Sequence, residues 1–314
     1  HEFLMTVDPA LGYVPTERLV QGEKRATEIM QTLGNSPSSI SSLTWTERGP
    51  NNIGGRTRGF LFDQSDATGN TALAGGVGGG LWRTTNFKTG ATWTQISTIG
   101  SNLAVTCIAQ DPQTLTTFYA GTGEGVGNGD AIRGLGVYKS TDGGLTWSLL
   151  AATTTGGANV NDFSYVQKIL VYNNGTHDVY AACRSAVFCN AGGLMRSTNG
   201  GTSWSRVLGT YSGCGNCTCA TDFRVYDIEK SISGDLWVSS LTEATASSGK
   251  IWMSPAGATV GNSGTWVDKT PTGTWNRIEL ACSPTNNNRI YALLQGSGNG
   301  VGGIRRTDDG AATP

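Results

Sequence analysis

From residue 59 onward, short apolar runs alternate with turn residues in a fixed order. "GFLFD" (59–63) leads through Ser65-Asp66 to "TALAGG" (71–76), and "VTCIAQD" (105–111) through Asp111-Pro112 to "TFYAGTGEG" (117–125). The same pairing returns as "KILVYN" and "DVYAAC" (178–183), as "FRVYDIE" and "DLWVSS" (235–240), and as "IELACS" and "RIYALL" (289–294). Runs of this length bounded by Gly, Pro, Asn, Asp and Ser read as β-strands joined by tight turns.

Each pair is followed by a glycine-rich loop, a third run, and a box of small polar residues ending in tryptophan. The boxes are "WRTTNFKTGATW" (82–93), "YKSTDGGLTW" (138–147), "MRSTNGGTSW" (195–204) and "WMSPAGATVGNSGTW" (252–266). "IRRTDDGAATP" (304–314) opens like the others without a tryptophan. Trp93, Trp147, Trp204 and Trp266 recur at intervals of 54, 57 and 62 residues. Four short antiparallel strands at this period predict an all-β fold, a β-propeller with about five blades visible, the last incomplete.

The box has a mechanical reading. Its glycines supply the positive φ of a tight hairpin, and its Asp or Asn accepts bonds from turn amides. The hydroxyl two residues earlier adds another bond, and the tryptophan packs between blades. The residues assigned this structural role are Thr84, Asn86 and Trp93; Ser140, Asp142, Gly144 and Trp147; Ser197, Asn199, Gly201 and Trp204; Trp266; and Asp308.

Residues 1–42 differ in pattern. Leu19, Ile29, Met30 and Leu33 recur among charges, with Pro15 before and Gly34 after, predicting an amphipathic helix over about 15–33. A Ser-rich linker (35–42) follows, and residues 43–314 form the blades. The leading His1-Glu2-Phe3 reads as a processed start or an expression remnant.

Composition narrows the function. A net charge of −1 with only 14% charged residues gives no electrostatic reason to expect nucleic acid, and no run approaches the ~18 apolar residues of a membrane span. Five of seven cysteines crowd together as Cys183, Cys189, Cys214, Cys217 and Cys219. Their spacing matches no common zinc pattern, which favours local disulfides in an exported protein. Cys107 and Cys282 sit in apolar runs and read as free thiols. No cofactor is implied, and a structural cation has no assigned ligands.

The pattern Ser140-x-Asp142-x-Gly144-x-x-Trp147 resembles the Asp-box, or bacterial neuraminidase repeat, of sialidases, sortilin-like receptors and xyloglucan-cleaving propellers. The run from Trp45 to Trp147 also resembles secreted bacterial Asp-box proteins of sortilin-like or glycosyl-hydrolase-like type. The resemblance covers about residues 45–310. It implies a secreted or cell-surface propeller of six to ten blades, so a further chain or self-assembly would complete the ring.

Catalytic readings find little support in the residues. The sialidase arginine motif is absent. In the xyloglucanase pattern an Asp precedes Val-Gly-Gly, where this chain has Gly76. His177 is the one internal histidine, which removes a nucleophile triad. The loop "GTGEGVGNGDAIRG" (121–134) offers Glu124 and Asp130 as weak acid–base candidates. Arg56, Arg58, Glu124, Asp130 and Arg133 are the candidate ligand-binding residues. The sequence therefore favours a non-catalytic propeller that binds protein or polysaccharide at its central face, or serves as a structural subunit. The alternative is a glycoside hydrolase with part of its site outside the chain.

Overall fold

The computed structural model describes residues 25, 28, 29, 55–100, 103–125, 132–154, 162–173, 176–184, 192–209, 224–241, 248–296, 298 and 300–310. Nineteen strands among them form five antiparallel sheets, each built from strands consecutive in sequence. Blade 1 comprises β1 (Thr57–Phe62), β2 (Ala72–Gly76), β3 (Gly80–Thr84) and β4 (Thr94–Gln95). Blade 2 comprises β5 (Val105–Gln110), β6 (Phe118–Thr122), β7 (Val137–Ser140) and β8 (Ser148–Leu149). Blade 3 comprises β9 (Tyr165–Tyr172), β10 (Asp178–Arg184), β11 (Gly192–Ser197) and β12 (Ser205–Leu208). Blade 4 comprises β13 (Val225–Lys230), β14 (Leu236–Ser240), β15 (Ile251–Ser254) and β16 (Val267–Asp268). Blade 5 has three strands, β17 (Arg277–Cys282), β18 (Ile290–Gln295) and β19 (Val301–Thr307).

The first strands of successive blades lie side by side, β1 against β5, β5 against β9, β9 against β13 and β13 against β17. All five line one central cavity. The sheets are therefore arranged around an axis, as the repeat predicts, and the fold is a β-propeller.

Burial explains the sequence pattern blade by blade. A middle blade is covered on both faces, so β10 is buried along its length except Arg184 and reads as a nearly continuous apolar run. On blade 5 the described residues cover only one face, and β18 alternates buried Ile290, Ala292 and Leu294 with exposed Tyr291 and Leu293. Among the described residues nothing covers the opposite face of blade 1, where Phe60, Phe62 and Phe87 stand exposed and packed on one another.

The boxes are fasteners. In blade 2, Ser140 Oγ donates to Asp142 Oδ1 (2.7 Å) and accepts from the Gly144 amide (3.0 Å). Asp142 also accepts from the amide (3.0 Å) and hydroxyl (2.6 Å) of Thr146. Trp147 then donates its ring N–H to the Gly144 carbonyl at 3.0 Å. Its indole is 4% exposed, in one cluster with Phe118 of its own blade and Leu73 of the preceding one. Gly144 needs a φ of +80°, and a side chain there would press on Leu73. Blade 3 repeats the arrangement with an amide for the carboxylate: Asn199 accepts from Ser197 Oγ and the Ser203 amide, and Trp204 donates to Gly201. In blade 1 Thr84 Oγ1 donates to Asn86, while Trp93 is only half-buried against Phe87. In blade 4 Ser254 meets Thr265 instead of an acid, and the Trp266 ring N–H is buried without a partner.

Two expectations are corrected. The acid of the fifth box is Asp309, which accepts from Thr307 Oγ1 at the same two-residue spacing; Asp308 instead pairs with Arg289 and Arg306. Two adjacent aspartates hide this in the sequence. Cys183 is not a disulfide partner. It is a free thiol, fully buried in the core between blades 2 and 3, where desolvation pushes its pKa well up. Cys189, Cys214, Cys217 and Cys219 lie outside the described residues. Cys107 and Cys282 are free, both pushed up to about 12 by burial. Of the predicted N-terminal helix, the described residues are Arg25, Glu28 and Ile29, which are helical; the rest lies outside them.

The fastener reading has measurable consequences. Trp147→Ala should cost about 3–5 kcal/mol by loss of a buried indole, against ~1 kcal/mol for half-exposed Trp93→Ala, by chemical denaturation. Hydrogen bonds from the Thr146 hydroxyl and amide hold the Asp142 pKa down, at about 2. A carboxylate depressed in the folded state adds stability above its ordinary pKa and loses it as pH falls through the folded value. The deficit of Asp142→Asn should thus be small at pH 7, since Asn199 shows that an amide serves. It should then shrink to nothing as pH falls from about 4 to 2.

Candidate functional site

The central cavity, about 270 Å³, is lined by one or more residues from the first strand of every blade. Arg58 and Phe60 come from β1, Thr106, Cys107 and Ile108 from β5, Gln167, Lys168 and Ile169 from β9, Tyr226 and Asp227 from β13, and Glu279 from β17. Innermost strands face an axis that no neighbouring blade covers, so polar side chains are tolerated where the rest of the strand is apolar.

Three of the sequence candidates meet beside this cavity, which only Arg58 of them lines. Glu124, fully buried at the end of the β6 run, accepts two hydrogen bonds from Arg56, Nη1 to Oε1 at 2.7 Å and Nη2 to Oε2 at 2.8 Å. Arg58 Nη1 lies 3.6 Å from the same carboxylate, and its Nη2 donates to the Tyr226 hydroxyl at 3.2 Å. The fork of Arg56 fits a carboxylate with both oxygens engaged, which fixes the loop entering the central face. This is a clamp between blades 1 and 2. It leaves Glu124 buried beneath arginines and not in a solvated loop. Arg133 stands instead beside Tyr165, whose ring carries Arg184 at 5.6 Å; burial raises the Tyr165 pKa and these two cations oppose it. Asp130 lies outside the described residues. Gly76, the position where a xyloglucanase-type base would stand, is the last residue of β2.

A second network sits across the cavity. Lys168 Nζ lies 2.7 Å from Asp227 Oδ1 and also pairs with Glu229. Burial works against the ammonium, but Asp227 and Glu229 outweigh it, and the lysine pKa ends above its ordinary value. Asp227 Oδ2 accepts from the Leu280 amide at 2.7 Å, which ties blade 4 to blade 5. Beside this network, Gln167 is 7% exposed, and neither its amide nitrogen nor its amide oxygen has a partner. Its Nε2 lies against Gly125, where a Cβ would come within 2.3 Å.

Gln167, Lys168, Tyr226, Asp227, Glu229 and Glu279 were not singled out by the sequence reading. They form no local motif, since they are spread over the first strands of blades 3, 4 and 5. The available signal was polar residues interrupting first-strand runs, as in "VQKILVY", "VYDIEK" and "IELAC". Among the described residues no group of three His, Cys, Asp or Glu side chains gathers as a metal site requires, and no helix is long and apolar enough to cross a membrane.

No family model matches the chain, and no curated protein matches it. Solved structures do. An ancestral GH74 enzyme superposes with a TM-score of 0.51 at 18% identity, over 80% of this chain and 32% of that one. The GH74 xyloglucanase from Xanthomonas campestris gives 0.48 at 15% identity, over 82% and 45%. YCF48 from Cyanidioschyzon merolae gives 0.44 at 12% identity, over 80% and 70%. The chain thus spans about a third of the first and under half of the second. At these identities the likeness concerns the fold alone.

The clamp can be tested by stability. Arg56→Ala should cost roughly 2 kcal/mol, below the ~3–5 of a fully buried pair because Arg56 is half in solvent and Arg58 remains. In the Glu124→Gln background, where no buried charge is stranded, the same substitution should cost less than half as much by chemical denaturation.

Proposed function

We propose that this chain is a non-catalytic binding propeller of the Asp-box kind, secreted or displayed at the cell surface, that takes a polar ligand, polysaccharide or protein, at its central face. Gln167 carries the reading. A buried amide with both atoms unpaired costs about 1–3 kcal/mol, so a fold keeps one where a ligand satisfies it. An amide offers a donor and an acceptor side by side, which suits a sugar diol or a peptide group. Arg58, Tyr226 and Glu279 line the same cavity and add further polar contacts.

The engagement of the carboxylates argues against hydrolysis. A glycosidase needs one carboxyl to protonate the leaving oxygen and another to act on the sugar or on water. Glu124 is clamped by Arg56, Asp227 is held by Lys168 and the Leu280 amide, and Glu229 pairs with Lys168.

A glycan array and a hydrolysis screen on the same preparation separate binding from turnover. Array hits without hydrolysis are expected, and turnover abolished by Glu124→Gln would overturn the reading. Gln167→Leu distinguishes a binding amide from a structural one. It should lose at least tenfold in affinity for the array hit while raising stability by about 1 kcal/mol, since an unpaired buried amide is removed. A loss of stability with unchanged affinity would contradict the assignment.

A further inference from the structure

The first strands of blades 1 to 4 each carry one residue more than the strand they pair with, at the same place in every blade. Thr57 and Gly59 pair with the adjacent Gly76 and Gly75, which leaves Arg58 over. In the same way Thr106 is left over in β5, Gln167 in β9 and Tyr226 in β13. Each is a β-bulge, and a bulge re-aims side chains. Val105 and Ile108 both pack in the core between blades 1 and 2, and Val166 and Ile169 in that between blades 2 and 3. Val225 and Ile228 share the core between blades 3 and 4. Strict alternation would send residues three apart to opposite faces of the strand. The extra residue is thereby released from both cores, and all four extra residues line the central cavity. In blade 5, β17 pairs with β18 in unbroken register.

Two of the four side chains already meet, since Arg58 Nη2 donates to the Tyr226 hydroxyl at 3.2 Å and joins blades 1 and 4 through the cavity. Thr106 Oγ1 donates to the Val166 carbonyl at 2.5 Å, so its hydroxyl proton is spent within the fold. Gln167 keeps both amide atoms unpaired. The charges of the wall face one another: Arg58 lies 3.6 Å from Glu124, and Lys168 is held by Asp227 and Glu229. An anion would find these cations engaged and Glu279 on the same wall, and a cation would meet Arg58 and Lys168. What suits the wall is an uncharged group that offers donors and acceptors in several directions. A sugar residue carries hydroxyls all round its ring, whereas a peptide unit carries one donor and one acceptor on opposite sides.

We propose, on the central-face reading above, that Arg58, Thr106, Gln167 and Tyr226 are the ligand-reading positions of blades 1 to 4, one per blade, and that together they take a single uncharged sugar residue. The bulge is the device that delivers them. It lets a strand bury both faces and still turn one side chain to the axis.

The probes are neutral oligosaccharides, the same oligosaccharides carrying a carboxylate or an amine, and acetylated, amidated peptides, each titrated into the whole chain. The neutral oligosaccharides should bind, and their charged counterparts roughly tenfold or more weakly. Tyr226→Phe, which removes one hydroxyl, should weaken binding about 3- to 10-fold with the melting temperature retained. Gln167→Glu, which keeps the shape and adds a charge, should weaken it by roughly tenfold or more. Ile228→Val, in the same strand as Tyr226 but packed in the core, should leave affinity within about twofold. A sugar whose binding responds to Gln167→Leu and not to Tyr226→Phe would keep the central-face reading and overturn the ring of bulge positions. Binding of the peptides alone, or equal losses in Tyr226→Phe and Ile228→Val, would also overturn the proposal. Binding of none of the probes would overturn it together with the central-face reading.

Discussion

Everything in this fold depends on how one blade is pinned to the next. Each four-stranded sheet is too small to be stable alone, and it buries its faces only against its neighbours. The pin is an indole inserted across the joint, with its ring N–H returned to a glycine carbonyl of its own turn. The turn is in turn held by a hydroxyl and an Asp or Asn two residues on. That one residue can be a carboxylate in blade 2 and an amide in blade 3 shows that either acceptor can close the turn.

Because the pins sit between blades, the axis is left for other work. The first strands turn polar side chains inward, and these side chains do two different jobs. Lys168 and Asp227 hold blades together through charge-assisted bonds across blade boundaries, as Arg56 and Glu124, next to β1 and β6, do for blades 1 and 2. Gln167 holds nothing. A propeller can thus be tied at its outer joints by tryptophan and at its centre by ion pairs, while leaving the Gln167 amide unpaired beside the cavity.

The periodic part of this was legible in the sequence. Each predicted run became a strand, and the boxes became turns, because both follow from local spacing. What failed depended on which partner a residue meets. Asp308 and Asp309 are equivalent in composition and differ only in which one the turn points at Thr307. Cys183 lies six residues from Cys189 and looked like part of a cluster, yet its strand carries it into the core. Arg56, Arg58 and Glu124 stand out in the sequence as separate candidates, but nothing local says that a residue before β1 and one after β6 share an ion pair. Gln167 escaped because a single polar residue in an apolar strand carries no motif.

The central claim is that the tryptophan turns fasten and the axis recognises. A crystal structure of the chain with its highest-affinity glycan or peptide tests it directly. The account predicts ligand density against the Gln167 amide, with Arg58, Tyr226 and Glu279 around it and the turn at Asp142 and Trp147 unchanged. Density seated on Asp142 and Trp147, with the central cavity empty, would contradict it.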